Sequence, residues 1–265
     1  MDILFAPHIA FWWITVGLFG LCLGSFAGAL IYRLPKNIRI TGRQRSNCPK
    51  CKTALAGRDL IPVLSWIVQK GRCRYCANKI SYDYLFAEIG TCALSLAFFG
   101  IYGLQIYTFF LILAAPLMVA IIVIDLRHMI IPDKLNAALA ALGIMVLVVY
   151  GFFEPWHLTK AAMLSSVSGA FFFFVTAYLI ALGAFAVLKK QALGGGDIKF
   201  FAVAGLWLGA AVLPVFMMLA GILGCIFGLG MKIAFKKDVF PFGPALITAF
   251  IVLICMQKTP ILTLL

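Results

Sequence analysis

Eight long apolar stretches recur along this 265-residue chain, at residues 9–32, 84–103, 105–124, 135–153, 162–188, 199–213, 215–231 and 241–257. The first reads IAFWWITVGLFGLCLGSFAGALIY, long enough for a bilayer crossing of about 20 apolar residues. With 64% of residues hydrophobic and 12% charged, a soluble domain could not hide this much apolar side chain. No Lys or Arg precedes the first stretch, and its end suits a packed helix better than a cleavage site. It therefore reads as a span rather than a secretory signal peptide. The expected fold is all-α and polytopic, with about eight transmembrane helices. The division of 199–231 into two spans rests on a break at Pro214, the alternative being one long kinked helix.

Charge orients these spans. Twelve of the 22 basic residues lie in 33–83: Arg33, Lys36, Arg39, Arg43, Arg45, Lys50, Lys52, Arg58, Lys70, Arg72, Arg74 and Lys79. Arg127 and Lys134 follow the third span, Lys189, Lys190 and Lys199 flank a glycine run, and Lys232, Lys236 and Lys237 follow the seventh. Eight spans put all of these on one side and leave Lys160 and Lys258 on the other. The positive-inside rule makes the crowded side cytoplasmic, so both termini face away from it. The net charge of +13 is explained by topology and anionic lipid. No nucleic-acid-binding module accompanies it, so no nucleic-acid partner is expected.

Residues 33–83 form the one long polar segment, a cytoplasmic insert between the first two spans. It carries Cys48-x-x-Cys51 and Cys73-x-x-Cys76, with Pro49 inside the first pair and Gly71 shortly before the second. Each pair presents two thiolates from a tight turn, and two pairs complete a closed tetrahedral site. A structural zinc centre of zinc-ribbon type is the expectation. Disulfides and a redox pair are the competing readings, the first disfavoured in a reducing cytoplasm. Cys22, Cys92, Cys225 and Cys255 fall inside apolar spans and read as small buried hydrophobes.

Nine residues are acidic: Asp2, Asp59, Asp83, Glu88, Asp125, Asp133, Glu154, Asp197 and Asp238. Asp125 ends one apolar run and opens DLRHMIIPDKLN. Asp197 lies in GGGDIK, residues 194–199. Ionisable groups at membrane boundaries are functional-site candidates, although such carboxylates could also cap a helix or pair with Lys199 or Arg127. Asp133 follows Pro132 and reads as a helix-start residue. Gly194, Gly195 and Gly196 permit unusual backbone shapes and close approach of another chain. Two carboxylates beside such a backbone suit acid–base hydrolysis of a peptide, one taking a proton from water while its protonated partner donates. A serine–histidine arrangement is not supported. His8 and His157 fall on the far side, and His128 has no serine in a nucleophile motif beside it.

Five motifs in order carry a resemblance. GSFAGALIYRLP (24–35), SNCPKCKTAL with PVLSWIVQKGRCRYCANKIS, DLRHMIIPDKLN, GGGDIK and FPFGPAL (240–246) resemble signatures of the prepilin peptidases, a family of GxGD-type membrane aspartic proteases. The resemblance covers nearly the whole chain. It implies that Asp125 and Asp197 are the catalytic pair, with Gly194, Gly195, Gly196 and Lys199 in the active-site loop. It implies cleavage of basic leaders from type IV prepilins or type II secretion pseudopilins at a bacterial inner membrane. Many members also methylate the new N-terminus with S-adenosylmethionine, and the resemblance points to Glu88 and Arg33 for that step. Two departures stand out: Gly28 where the family has Asn, and SYDYLFAE (81–88) with Asp83, Leu85 and Phe86 at Arg, Pro and Leu positions. They predict weak or absent N-methylation. Gly28 also belongs to a Gly20, Gly24, Gly28 repeat suited to close helix packing. The expected layout is a first span (1–32), the zinc insert (33–83) and a peptidase core (84–265). The rival readings are a peptidase without methyl transfer, a proton-coupled transporter using the paired aspartates, and a structural zinc-ribbon membrane protein.

Overall fold

The computed structural model describes residues 7–40, 46–153, 155–189, 193–235 and 240–257. Asp2, Arg43, Arg45, Glu154, Lys190, Lys236, Lys237, Asp238 and Lys258 lie outside the described residues. The described chain is helical: α1 (Pro7–Arg33), α2 (Leu64–Val68), α3 (Tyr82–Tyr102), α4 (Ile106–His128), α5 (Asp133–Phe153), α6 (Trp156–Leu188), α7 (Gly195–Leu208), α8 (Leu213–Phe235) and α9 (Gly243–Met256). Among the described residues there is no strand, only isolated bridges Asn47–Ala54 and Arg72–Lys79 in the insert.

Each of the eight apolar stretches forms its own helix. Six helices are long and apolar enough to cross a membrane, which makes this a multi-pass membrane protein. The other two, α7 and α9, have 14 residues each. At 1.5 Å per residue they rise ~21 Å, short of the ~30 Å hydrocarbon core. The expectation of eight full spans is corrected on that ground. The break within 199–231 also moves. It falls at Gly209, whose φ of +78° ends α7. A 3-10 turn at Ala210–Val212 follows. Pro214 is then the second residue of α8, where its missing N–H costs nothing.

The chain divides into two compact units, Met1–Val123 and Ile124–Leu265. In the first, α1 and α3 pack along a seam of small residues. A Cβ on Gly20 would sit 3.0 Å from Cys92 Cα, one on Gly24 2.5 Å from Glu88 Cα, and one on Gly28 2.9 Å from the Tyr84 ring. The predicted glycine face is thus the helix contact. Val16, Phe99 and Ile112, with Leu23 and Leu96, form an apolar cluster beside it.

In the second unit, α6 and α7 approach until backbone meets backbone. The Gly169 and Gly205 Cα positions face each other's carbonyl groups so closely that neither tolerates a Cβ. Trp207 is fully buried and donates from Nε1 to the Leu139 carbonyl on α5 at 3.0 Å. Phe200 meets Phe250 of α9 edge to face, while Phe173 and Phe201 both contact Phe216 of α8. These contacts hold the N-terminus of α7 in place. Phe171, Phe172, Leu179 and Phe185 on α6 stay exposed, as lipid-facing residues should.

Substituting Gly169→Ala or Gly205→Ala should destabilise the second unit by about 1–3 kcal/mol, because rigid backbone rather than a mobile side chain blocks the methyl group. A thermal-unfolding comparison of purified variants checks this. Gly195→Ala, where nothing lies within 4 Å of the added carbon, is the control expected to unfold like the parent.

Candidate active site and metal centre

The insert builds its four-thiol cluster from two matching turns. In the first, Cys48 N–H donates to Thr53 O (3.0 Å) and Lys52 N–H to Cys48 O (2.9 Å). In the second, Cys73 N–H donates to Asn78 O and Ala77 N–H to Cys73 O, both at 2.8 Å. The residue after each second cysteine takes a left-handed conformation, Lys52 at φ 59° and Ala77 at φ 55°. That twist brings both thiols of a pair to one side of the turn. The four sulfurs of Cys48, Cys51, Cys73 and Cys76 lie within 4.8 Å of one another, and Cys48 and Cys76 are 3.9 Å apart. Tetrahedral zinc with bonds of about 2.3 Å requires sulfurs ~3.8 Å apart, so the donor set fits.

Thiol chemistry agrees. Hydrogen bonds from Thr53 hold the Cys51 thiol down to about 6. At Cys76 the Asn78 N–H favours the thiolate, but desolvation and the three neighbouring sulfurs outweigh it and push the thiol up to about 11. Four crowded sulfurs ionise together only around a cation. Asp59 braces the segment between the pairs. Its carboxylate accepts from Ala56 N–H (3.1 Å), Arg74 Nε (2.8 Å) and the Tyr75 hydroxyl (3.0 Å). Burial opposes its charge, yet these three donors prevail and hold the carboxyl below the usual range.

Glu88 and Arg33, on α3 and α1, both line one cavity of about 340 Å³ in the first unit. Glu88 Oε2 accepts from Val63 N–H at 2.7 Å, and Arg33 Nη1 donates to Ile40 O at 2.9 Å.

The two aspartates of interest fall in the second unit. Asp125 lies in the last turn of α4 and is 4% exposed. Its Oδ2 accepts from Gly243 N–H, the first residue of α9, at 2.8 Å. Asp197 is the third residue of α7, and its Oδ2 accepts from Gly194 N–H at 3.0 Å. Each carboxylate thus sits at the positive end of a helix, where free N–H groups favour an anion. The two helices whose starts these carboxylates occupy, α9 and α7, meet through Phe250 and Phe200.

The glycines do not take the unusual backbone shapes anticipated. None of the three has a positive φ. Gly194 is extended, and Gly195 and Gly196 begin the helix. Gly196 is small because a Cβ there would lie 2.8 Å from the Ile131 carbonyl. Lys199 pairs with Asp133 at 2.7 Å on the exposed surface, tying α7 to the first residue of α5. Asp133 is thereby the predicted helix-start residue and also a partner for the loop.

Two residues escaped the sequence reading. Asn136 is buried on α5 and donates from Nδ2 to Gly196 O at 3.0 Å. Gly243 holds Asp125, and a Cβ there would fall 2.6 Å from Oδ2. Gly243 sits in the quoted FPFGPAL, so its sequence signal was visible but its partner, 118 positions away, was not.

Comparison with known proteins follows this layout. Residues 18–102 match the bacterial peptidase A24 N-terminal domain, and residues 111–229 match the type IV leader peptidase family. The chain is 31% identical to a prepilin leader peptidase/N-methyltransferase of Legionella pneumophila, covering 89% of this chain and 88% of the relative. It is 30% identical to the protein so named in Bacillus subtilis (strain 168), covering 86% and 88%. It is 31% identical to a type 4 prepilin-like proteins leader peptide-processing enzyme of Escherichia coli O78:H11, covering 92% and 93%. No solved structure matches.

The metal centre yields a direct measurement. Purified protein should carry about one zinc per chain, and a Cys48→Ser/Cys73→Ser double variant should carry none. Because a closed site mainly folds its segment, the variant should show lower abundance and faster proteolysis within 33–83. Full zinc retention in the variant, or no zinc in the parent, contradicts the assignment.

Proposed function

The chain belongs to the type IV leader peptidase family, and on that premise we propose that Asp125 and Asp197 are the acid–base pair of a membrane aspartic endopeptidase. The enzyme cleaves the basic leader from type IV prepilins or type II secretion pseudopilins. The placement of both carboxylates at the starts of two helices that pack together, Asp125 on the first N–H of α9 and Asp197 in the first turn of α7, is the observation that supports this reading.

Two like charges in contact do not both ionise, so the pair shares one proton and titrates as a unit. The ionised member takes a proton from water, which attacks the scissile carbonyl. The protonated member donates to the carbonyl oxygen and restores the pair as the amine leaves. Gly243 and Asn136 are positioning residues: one fixes the Asp125 carboxylate, the other fixes the Gly196 backbone beside Asp197. Gly194, Gly195, Gly196 and Lys199 form the N-cap and first turns of α7, the segment that carries Asp197.

In this reading the segment 33–83 folds around zinc held by the four cysteines, and 84–265 carries the peptidase chemistry. The crowding of basic residues in 33–83 puts that segment on the cytoplasmic face of a bacterial inner membrane. N-methylation of the new terminus follows cleavage, with S-adenosylmethionine supplying the methyl group. The names of the relatives favour this over a peptidase-only enzyme or a transporter. Of the departures from the family pattern, Gly28 makes room for the ring of Tyr84, a residue that itself matches the pattern.

Asp125→Asn and Asp197→Asn should each abolish leader cleavage at matched membrane levels, and the double variant should be little worse than either single one. Asp133→Asn should be milder. Substantial cleavage by either Asp125 or Asp197 variant refutes the pair. Gly243→Ala should lower kcat by roughly tenfold to a hundredfold by turning the Asp125 carboxylate away, since a misplacement of about 1 Å costs that order. Its KM should change little. Loss in KM alone would place Gly243 in substrate binding instead.

A further inference from the structure

The insert between α1 and α3 is polar in composition, yet it carries an apolar face that the described chain leaves uncovered. Leu64, Ile67 and Val68 share one side of α2, and Leu60 and Ile61 stand in the turn just before it. All five are exposed, Leu64 to 60% and Val68 to 71%. The polar side chains of the same turns, Ser65 and Gln69, line the cavity on the inner side instead. Aliphatic side chains outward and polar ones inward is the reverse of a helix surrounded by water. A contiguous apolar patch of this kind marks an interaction surface.

The level of this face is fixed by α3. Val63 N–H donates to Glu88 Oε2 at 2.7 Å, and Trp66 packs on Tyr82 with ring centroids 5.4 Å apart. Glu88 lies six residues beyond Tyr82, ~9 Å along the helix axis. The chain from Val63 to Trp66 therefore runs beside the first two turns of a helix long and apolar enough to cross a membrane. On those turns Tyr82, Phe86 and Ile89 are exposed at i, i+4 and i+7, one stripe along the helix. The face of α2 adjoins that stripe at Tyr82. Basic groups border it: Arg58 precedes it, Lys70 and Arg72 follow it, and all three are exposed. The acid of this stretch, Asp59, is buried and paired with Arg74.

We propose that residues 60–68 are an interfacial anchor, which lays the insert against an anionic bilayer surface. Leu60, Ile61, Leu64, Ile67 and Val68 dip into the boundary of the acyl chains, while Arg58, Lys70 and Arg72 meet the lipid phosphates. Apolar burial and attraction to anionic lipid act together in such elements. The bilayer is favoured over a protein partner because the face adjoins an exposed stripe of a membrane-crossing helix and its border carries one sign of charge. The four-thiol turns are then held at the membrane surface rather than swinging on a linker. This inference uses neither the peptidase nor the methyl-transfer reading.

The test uses the full chain in nanodiscs of phosphatidylethanolamine and phosphatidylglycerol. A benzophenone amino acid is placed at Leu64, at Val68 or, as control, at Lys50 in the first cysteine turn. Illumination should add a lipid mass to the Leu64 and Val68 peptides, and about tenfold less to the Lys50 peptide. Trypsin should cut after Lys70 and Arg72 slowly in these discs. Leu64→Ser/Val68→Ser should speed that cutting about tenfold, and nanodiscs of phosphatidylcholine should speed cutting of the parent. Zinc content reports whether each variant has folded, and Ile67→Ser stands in if the double variant loses its metal. Absence of lipid adducts at both Leu64 and Val68, or equal adducts at Lys50, overturns the anchor. Adducts to a second copy of the chain or to another protein in place of lipid also overturn it and assign the face to protein association. Cutting that responds to neither the serine variants nor the lipid charge contradicts it as well.

Discussion

Two carboxylates near a membrane need partners, and here the partners are backbone N–H groups at helix starts. Asp125 accepts from the first residue of α9, and Asp197 from the residue that precedes α7. A lysine or arginine in either place would fix a full negative charge and drive both groups to ionise. A helix terminus offers only about half a charge. The neighbouring lysine, Lys199, is drawn off to Asp133 on the exposed surface. The remainder of the second unit follows from keeping two helix termini at the right places. This explains why α7 and α9, though short, are packed more deeply than the longer α6 and α8.

Glycine sets the packing in both units by the same physics. Helices in lipid gain nothing from hiding apolar surface, so they associate through close backbone approach. The α1–α3 seam uses Gly20, Gly24 and Gly28, and the α6–α7 contact uses Gly169 and Gly205. The first seam aligns Glu88 with the insert, and the second anchors the helix that carries Asp197. Both put a polar residue where a larger seam residue would have pushed it away.

Much of this was legible in the sequence because it rests on local pattern. Apolar runs marked the helices, doubled cysteine pairs marked the four-thiol cluster, and a carboxylate beside Gly194–Gly196 marked the start of α7. Span length was less legible. Apolarity does not distinguish a helix long enough to cross lipid from a shorter one that packs deeply in protein, and α7 and α9 are of the shorter, buried kind. Pro214 looked like a break, yet a proline is tolerated in the first turn, and Gly209 with its positive φ ends the helix instead. Gly243 and Asn136 were invisible in their roles because each acts on a residue 118 or 60 positions distant. The left-handed turns at Lys52 and Ala77 were hidden as well, since neither residue type advertises that conformation.

The cysteine cluster is not uniform. Cys48 and Cys73, the first of each pair, are buried, while Cys76 is exposed and Cys51 is intermediate. Affinity for a metal belongs to all four sulfurs together, but exchange begins where an incoming ligand or oxidant can reach. For a metal held here, the outward pair, Cys51 and Cys76, would be the sulfurs an incoming ligand reaches first. A chelator or peroxide approaching from water meets the second cysteine of each turn first.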